Sequence, residues 1–232
     1  MLNKIKQTFD LNYCLILQPT NTDYAMRVFN DKQIEILEVA ERLFAEGGFD
    51  GTSIRNISKE AKINVAMVSY YFGSKEKLLE ALIIYRIADL KIQLEILSKE
   101  EVSPLYKINK LVELYISKIH NNRYIYQILH FELSFSKRAL NFEAFTEAKK
   151  ANLSSLTIII EEGQKKGIFR NDIIIPLIIP TIFGTYIHFH LNRTFNEEVL
   201  HLKTETDYDN YIKNQLTTHI KQTIKALLIN EG

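Results

Sequence analysis

Residues 31–80, DKQIEILEVAERLFAEGGFDGTSIRNISKEAKINVAMVSYYFGSKEKLLE, constrain the fold more than any other stretch. Ile36, Leu37, Ala40, Leu43 and Phe44 recur at helical rather than strand spacing. Gly47-Gly48 ends that helix, because glycine tolerates a left-handed C-cap. Thr52 and Ser53 offer hydroxyls to the start of a second helix that runs to about Ala61, with Ile54, Ile57 and Ala61 as its apolar stripe. Lys62-Ile63-Asn64 is a turn with Ile63 as its plug. Asn64 is placed to cap a third helix, Val65 to about Phe72, by accepting from free backbone N–H groups. Val68 and Phe72 share a face that packs on Ile54 and Ile57. Gly73-Ser74-Lys75-Glu76 then stops this helix and starts the next. Two short helices joined this way are a helix-turn-helix.

Packing leaves Val65, Ala66, Met67, Ser69, Tyr70 and Tyr71 on or beside the outer face of the third helix. Apolar and phenolic groups sit badly against water there. They suit duplex DNA, where apolar groups meet thymine methyls and phenols donate to phosphates. The net charge is only +1, but its distribution is uneven. Glu35, Glu38, Glu41 and Glu46 lie on the first helix. From Gly51 to Leu79, Arg55, Lys59, Lys62, Lys75 and Lys77 outnumber Glu60 and Glu76. Phosphate neutralisation depends on the docking face rather than on the whole chain. On charge alone, an ordinary solvated pattern remains an equal alternative.

The string resembles the N-terminal domain of the tetracycline-repressor (TetR) family. The matching pieces are A-x-x-L-F-x-x-x-G-(F/Y)-x-x-T-(S/T), Ala40 through Ser53; I-x-x-x-A, Ile57 through Ala61; and Y-Y-F-G-S-K-E-K-L-L, Tyr70 through Leu79. They occur in order and cover about a fifth of the chain. Two positions depart from the family pattern: Lys62, where glycine is frequent in the turn, and Ser69, where tyrosine is frequent. The resemblance implies base or phosphate contact at Arg55, and base-edge contact at Val65 and Ala66. It implies phosphate contact at Ser53, Tyr70, Tyr71 and Lys75. One of the two tyrosines has the alternative of packing under the helix, and Met67 either touches DNA or covers the motif's core.

Outside this unit the chain reads as all-α. Eight Gly, four Pro and 46% hydrophobic residues among 232 favour long helices over loops. The expected organisation is a poorly structured extension at 1–30, the DNA-binding domain at 31–80, and a helical ligand-binding and dimerisation domain at 81–232. For 1–30 two readings compete: a flexible extension, or translation beginning at Met26, with the second favoured. One helix continues from the motif toward residue 98, breaking at Glu100–Pro104. Five more follow: Pro104–His120, Tyr124–Phe135, Arg138–Lys166, Ile173–Arg193 with a kink at Pro180, and Tyr208–Ile229. The run IIIPLIIPTIF has strand-like composition, but no second strand exists to pair with it. The last two helices carry more apolar surface than one neighbouring domain covers, including the repeat through Ile220 and Ile224. The expectation is a homodimer formed by two helices per subunit.

The resemblance also implies a ligand cavity beside the linking helix. Leu111, Tyr115, Tyr126, His130, Phe131, Phe135, Phe183 and Ile187 are its candidate lining, suited to a small apolar or amphipathic compound. Plain core is the alternative for each.

Other chemistry finds little support. His188 and His190 point to different sides of a helix, as do His130 and Glu132, so neither pair chelates a metal. Tyr186, His188 and His190 fit an interface or a cavity wall. Glu161-Glu162 reads as a solvated face. There is no P-loop, G-x-G-x-x-G or G-x-S-x-G, and nothing implies a cofactor. Cys14 is the single cysteine, so no internal disulfide framework exists. No apolar run approaches the roughly 20 residues of a membrane span, and no signal peptide is evident; a cytoplasmic protein is expected. The favoured function is a ligand-responsive regulator, most simply a dimeric repressor on a palindromic operator. A helical interaction module and an all-α enzyme are the alternatives.

Overall fold

The computed structural model describes residues 29–135, 140 and 143–229. The expectations for residues 1–28 and for a helix start at Arg138 lie outside them. The described residues form helices and turns without a strand, in two compact units. The first runs to Asp89 and adds Tyr124–Thr146; the second comprises Leu90–Arg123 and the chain from Glu147.

In the first unit, α1 (Asp31–Gly51) starts at a capping box. Asn30 Oδ1 accepts from Gln33 N–H at 2.9 Å, and Gln33 Oε1 accepts from Asn30 N–H at 3.0 Å. Gly48, at φ +70°, breaks its regular winding. Of the two hydroxyls expected to start α2 (Ile54–Glu60), Ser53 is the cap, accepting from Asn56 N–H at 3.1 Å. Thr52 turns back instead, its Oγ1 2.9 Å from both Leu43 O and Gly48 O. Asn64 Oδ1 caps α3 (Val65–Phe72) by accepting from Ala66 N–H at 2.8 Å. Ile57, Ala61, Val68 and Phe72 are buried with Ile36, Leu37, Ala40 and Phe44 of α1.

α4 (Lys75–Lys99) begins in this unit and ends in the other. α6 (Arg123–Phe135) lies almost wholly in the first unit. One buried carboxylate ties three of these elements together. Glu41 on α1 accepts from Arg86 Nε of α4 at 2.8 Å and from the Ile125 N–H near the start of α6. Burial pushes its carboxyl above the ordinary range, while Arg86 pulls it back.

In the second unit, α5 (Pro104–Asn121) carries Ile108, Leu111, Val112, Tyr115, Ile116 and Ile119 inward. α7 (Glu143–Lys165) adds Leu156, Ile159 and Ile160. The segment read as one kinked helix is different. A 3-10 turn at Ile175–Leu177 holds Pro176, and α8 spans Ile178–Leu191. Pro180 therefore sits in the first turn of α8, where a missing N–H breaks no intrahelical bond, and no kink is required. A short α9 (Arg193–Val199) follows where no helix was expected.

The last helix is composite: α10 (Glu205–Tyr211), a π turn at Ile212–Leu216, then α11 (Thr217–Leu228). Its buried positions, Tyr208, Ile212, Leu216, Ile220, Ile224 and Leu228, recur every fourth residue. On a 3.6-residue helix each such step over-rotates by roughly 40°. The wider π turn takes up part of that drift. Thr217 Oγ1, at the start of α11, donates across it to Ile212 O at 2.7 Å. This apolar repeat packs on α5 inside one protomer. Ile220 and Ile224, expected at a dimer seam, are 1% and 0% exposed within the single chain.

Candidate nucleic-acid interface

Val68 and Phe72 anchor α3, and the opposite face is open. Val65 is 39% exposed, Met67 37% and Tyr70 84%; Ala66 and Ser69 are exposed as well. Tyr71 is half-buried, its ring in edge contact with Tyr70 and Phe72. The two tyrosines therefore divide: Tyr70 stands outward and Tyr71 leans on the helix's own core side. Ser53 is exposed, but its hydroxyl already accepts from Asn56 N–H and lies 2.6 Å from Asn56 Oδ1. Arg55 is exposed on α2 and has no ion-pair partner among the described residues.

Lys75 is used differently from a free surface cation. Its ammonium donates to Phe49 O at 2.9 Å and Thr52 O at 3.0 Å, and lies 4.2 Å from the centre of the Phe49 ring. It ties the start of α4 to the end of α1, leaving one N–H for another acceptor. Nothing in the local sequence announces this, because the carbonyls lie 26 and 23 residues away.

The model of the tetR family of bacterial regulatory proteins matches residues 36–82. A second family model, the C-terminal region of YsiA-like proteins, matches residues 86–209, more than half of the chain. This chain belongs to the TetR family. Among curated relatives, the HTH-type transcriptional repressor NicS of Pseudomonas putida is 34% identical over 172 residues, covering 68% of this chain and 75% of NicS. Two solved structures share the fold. The transcriptional regulator FadR of Bacillus subtilis, in complex with stearoyl-CoA, has a TM-score of 0.64 at 20% identity, covering 83% of this chain and 97% of that one. A putative regulator from Saccharomonospora viridis, in complex with choline, has a TM-score of 0.66 at 19% identity, covering 88% and 100%.

Within the TetR pattern, the departure at Lys62 has a structural counterpart. Lys62 adopts φ +53°, and Ile63 N–H bonds to Ser58 O at 2.9 Å. This is the left-handed helix end that glycine usually occupies.

The eight candidate ligand-lining residues divide between the units. Leu111 and Tyr115 are buried on α5, with Phe183 and Ile187 half-buried on α8, which packs against α5. Tyr126 is half-buried on α6; His130 and Phe131 are exposed there. The Phe135 side chain lies outside the described residues. A cavity of about 520 Å³ does occur in the second unit, but its walls are polar. Ser98, Glu100, Ser103, Lys107 and Glu162 line it. Glu162, expected on a solvated face, accepts from the buried Lys107 ammonium at 2.7 Å, which holds its carboxyl below the ordinary range.

The histidines were only partly placed by the sequence. His188 is exposed. His190 Nδ1 lies 3.1 Å from the Tyr208 hydroxyl. Tyr186 is fully buried and pairs with a residue that sequence reasoning missed, His120. His120 Nδ1 is 2.9 Å from Tyr186 Oη, and its Nε2 is 2.9 Å from Asp209 Oδ1. Asp209 only accepts, so neutral His120 carries its proton on Nε2, and its Nδ1 accepts a hydrogen bond from the Tyr186 hydroxyl. Burial holds both His120 and His190 below their ordinary pKa. Among the described residues, no group of His, Cys, Asp and Glu could hold a metal ion, and no helix is long and apolar enough to cross a membrane.

Proposed function

We propose that this TetR-family regulator is a cytoplasmic, dimeric repressor that places α3 in the major groove of a palindromic operator and is released by a small apolar or amphipathic ligand. The exposed face of α3 carries the reading. Val65, Ala66, Met67 and Tyr70 stand out of a helix whose other side is fixed by Val68 and Phe72. Such an outward apolar and phenolic surface suits base edges and phosphates. Val65 and Ala66 read bases; Ser53, Arg55, Ser69, Tyr70, Tyr71 and the remaining N–H of Lys75 hold the backbone. Repression is supported by the likeness to NicS. An amphipathic ligand is supported by the stearoyl-CoA bound to the FadR neighbour.

The dimer forms through the outward side of α8, where Gly184, His188 and Leu191 are exposed, with Leu177 of the preceding turn, and through Thr218, Gln222 and Ala226 of α11. A ligand acts by binding two states of this dimer unequally. A hundredfold ratio shifts their balance by about 2.7 kcal/mol.

The test is binding of the purified protein to DNA from upstream of its own gene, followed by titration with stearoyl-CoA and with shorter amphipathic compounds. Sequence-preferring binding that one of these compounds weakens is the expected result. Equal affinity for that segment and for a scrambled duplex overturns the operator reading. Operator affinity that every compound in the series leaves unchanged overturns the ligand class.

A further inference from the structure

We propose that Lys59 and Lys62 complete, with Arg55, a row of cations that takes successive backbone phosphates of duplex DNA. This deepens the DNA-binding reading and rests on it.

The observation is an inventory of charge. Between residues 31 and 87 there are eight lysines and arginines. Five have partners inside the protein. Lys32 meets Glu35 at 2.6 Å, Arg42 meets Glu60 at 3.0 Å, and Lys77 meets Glu80 at 2.8 Å. Arg86 is held by Glu41, and Lys75 by two carbonyls. The other three, Arg55, Lys59 and Lys62, have no side-chain partner among the described residues, and all three are exposed. Their spacing is i, i+4, i+7, so Arg55 and Lys59 share one face of α2 and Lys62 follows at its end. The acid of α2, Glu60, is drawn away toward Arg42 on α1. The fold thus removes the one carboxylate of α2 that could neutralise the row.

Lys62 adds an independent argument. It occupies a left-handed backbone position, φ +53°, that glycine would adopt without strain. Among the described residues, no contact of its ammonium compensates. A strained residue whose charged end is idle in the free molecule is suited to a partner outside it. In a helix-turn-helix the first helix of the pair crosses the sugar-phosphate backbone. That partner is phosphate, which binds cations without reading sequence.

A purely local role is the competing explanation, since Lys59 and Lys62 lie at the C-terminal end of α2, where cations favour the helix dipole. The two roles separate experimentally. Fluorescence anisotropy with a labelled mixed-sequence duplex, from about 50 to 200 mM KCl, gives the dependence of affinity on salt. Lys59→Gln and Lys62→Gln should each make the log–log slope shallower by roughly 0.9 per phosphate freed, nearly two for a dimer. The preferred sequence in a randomised-duplex selection should stay that of the parent. Lys62→Gly should show the same loss of slope while raising the thermal midpoint, and Lys62→Arg should retain the parental slope. Folded variants with the parental slope overturn the row, as does a changed preferred sequence, which would mean base contact. A parent that binds no duplex at low salt overturns the DNA-binding reading itself, and the row with it.

Discussion

At Lys75 one side chain closes the helix-turn-helix and also lies beside its outer face. Its ammonium holds the carbonyls of Phe49 and Thr52, both part-buried. Hydrogen bonds from a charged donor contribute about 1.5–3 kcal/mol when their loss strands a buried acceptor. Lys75→Ala should therefore lower stability by about 1–3 kcal/mol in urea unfolding, besides weakening binding to every duplex alike. Unchanged stability would mean that water replaces the ammonium at both carbonyls. Val65 gives the contrasting case. It is 39% exposed, on the outward side of the first turn of α3. Val65→Gln should shift the preferred operator base toward adenine and leave the salt slope alone, as read by selection from randomised duplexes. An unaltered preferred site would mean that α3 is rotated differently in the groove. The outer face of α3 was legible because one short helix of known cap and core side exposes a definite remainder. The clamp made by Lys75 was not legible, since it joins residues distant in sequence whose carbonyls carry no side-chain signal.

Helices were legible as far as their caps and apolar stripes are local. Ser53 and Asn64, read as cap residues, each accept from a backbone N–H at a helix start, and α5 begins at Pro104 and ends within a residue of His120 as expected. Legibility failed where a β-branched run hid the start of α8, and where buried positions at fourfold spacing concealed a π turn. It failed too for the polar joint among α5, α8 and α10, because His120, Tyr186 and Asp209 are 66 and 89 residues apart in the chain. That joint has a pH signature. His120 is buried against Tyr186 and Asp209, with the charges of Arg123 and Lys213 nearby, and burial is the main cause of its lowered pKa. A histidine held below its ordinary 6.5 takes up a proton less readily folded than unfolded. Its contribution to stability is complete above that pH and is lost as pH falls toward the folded value. His190, lowered for the same reason and facing Tyr208, Arg193 and Glu205, acts with the same sign. The thermal midpoint should drop as buffers go from neutral to mildly acidic, and His120→Gln should flatten that drop. An equally steep drop in the variant would assign the acid sensitivity to other groups.

For the whole molecule, the same apolar repeat that suggested a dimer seam is the inner side of a protomer. The sequence pattern alone does not separate the two, because burial against one's own chain and against a copy leave the same periodicity. Ile224→Ala should therefore cost about 2–5 kcal/mol of protomer stability, as cavities in a core do, and so cannot serve as a test of association. Gly184 can. It lies on the outward side of α8, and a Cβ built there meets nothing within 4 Å. In the isolated protomer Gly184→Arg costs nothing sterically and gains helix propensity, on the order of 0.5–1 kcal/mol. In a seam between two copies of α8 the same arginine fills the space the backbones need for close approach and brings two like charges together. Gly184→Arg should therefore sediment as a monomer with an undiminished thermal midpoint at low concentration. It should also lose the tight binding that comes from two half-sites engaged together. A dimer that survives the substitution would move the two-fold axis off α8, and the spacing of the two recognition helices would then be set by another surface.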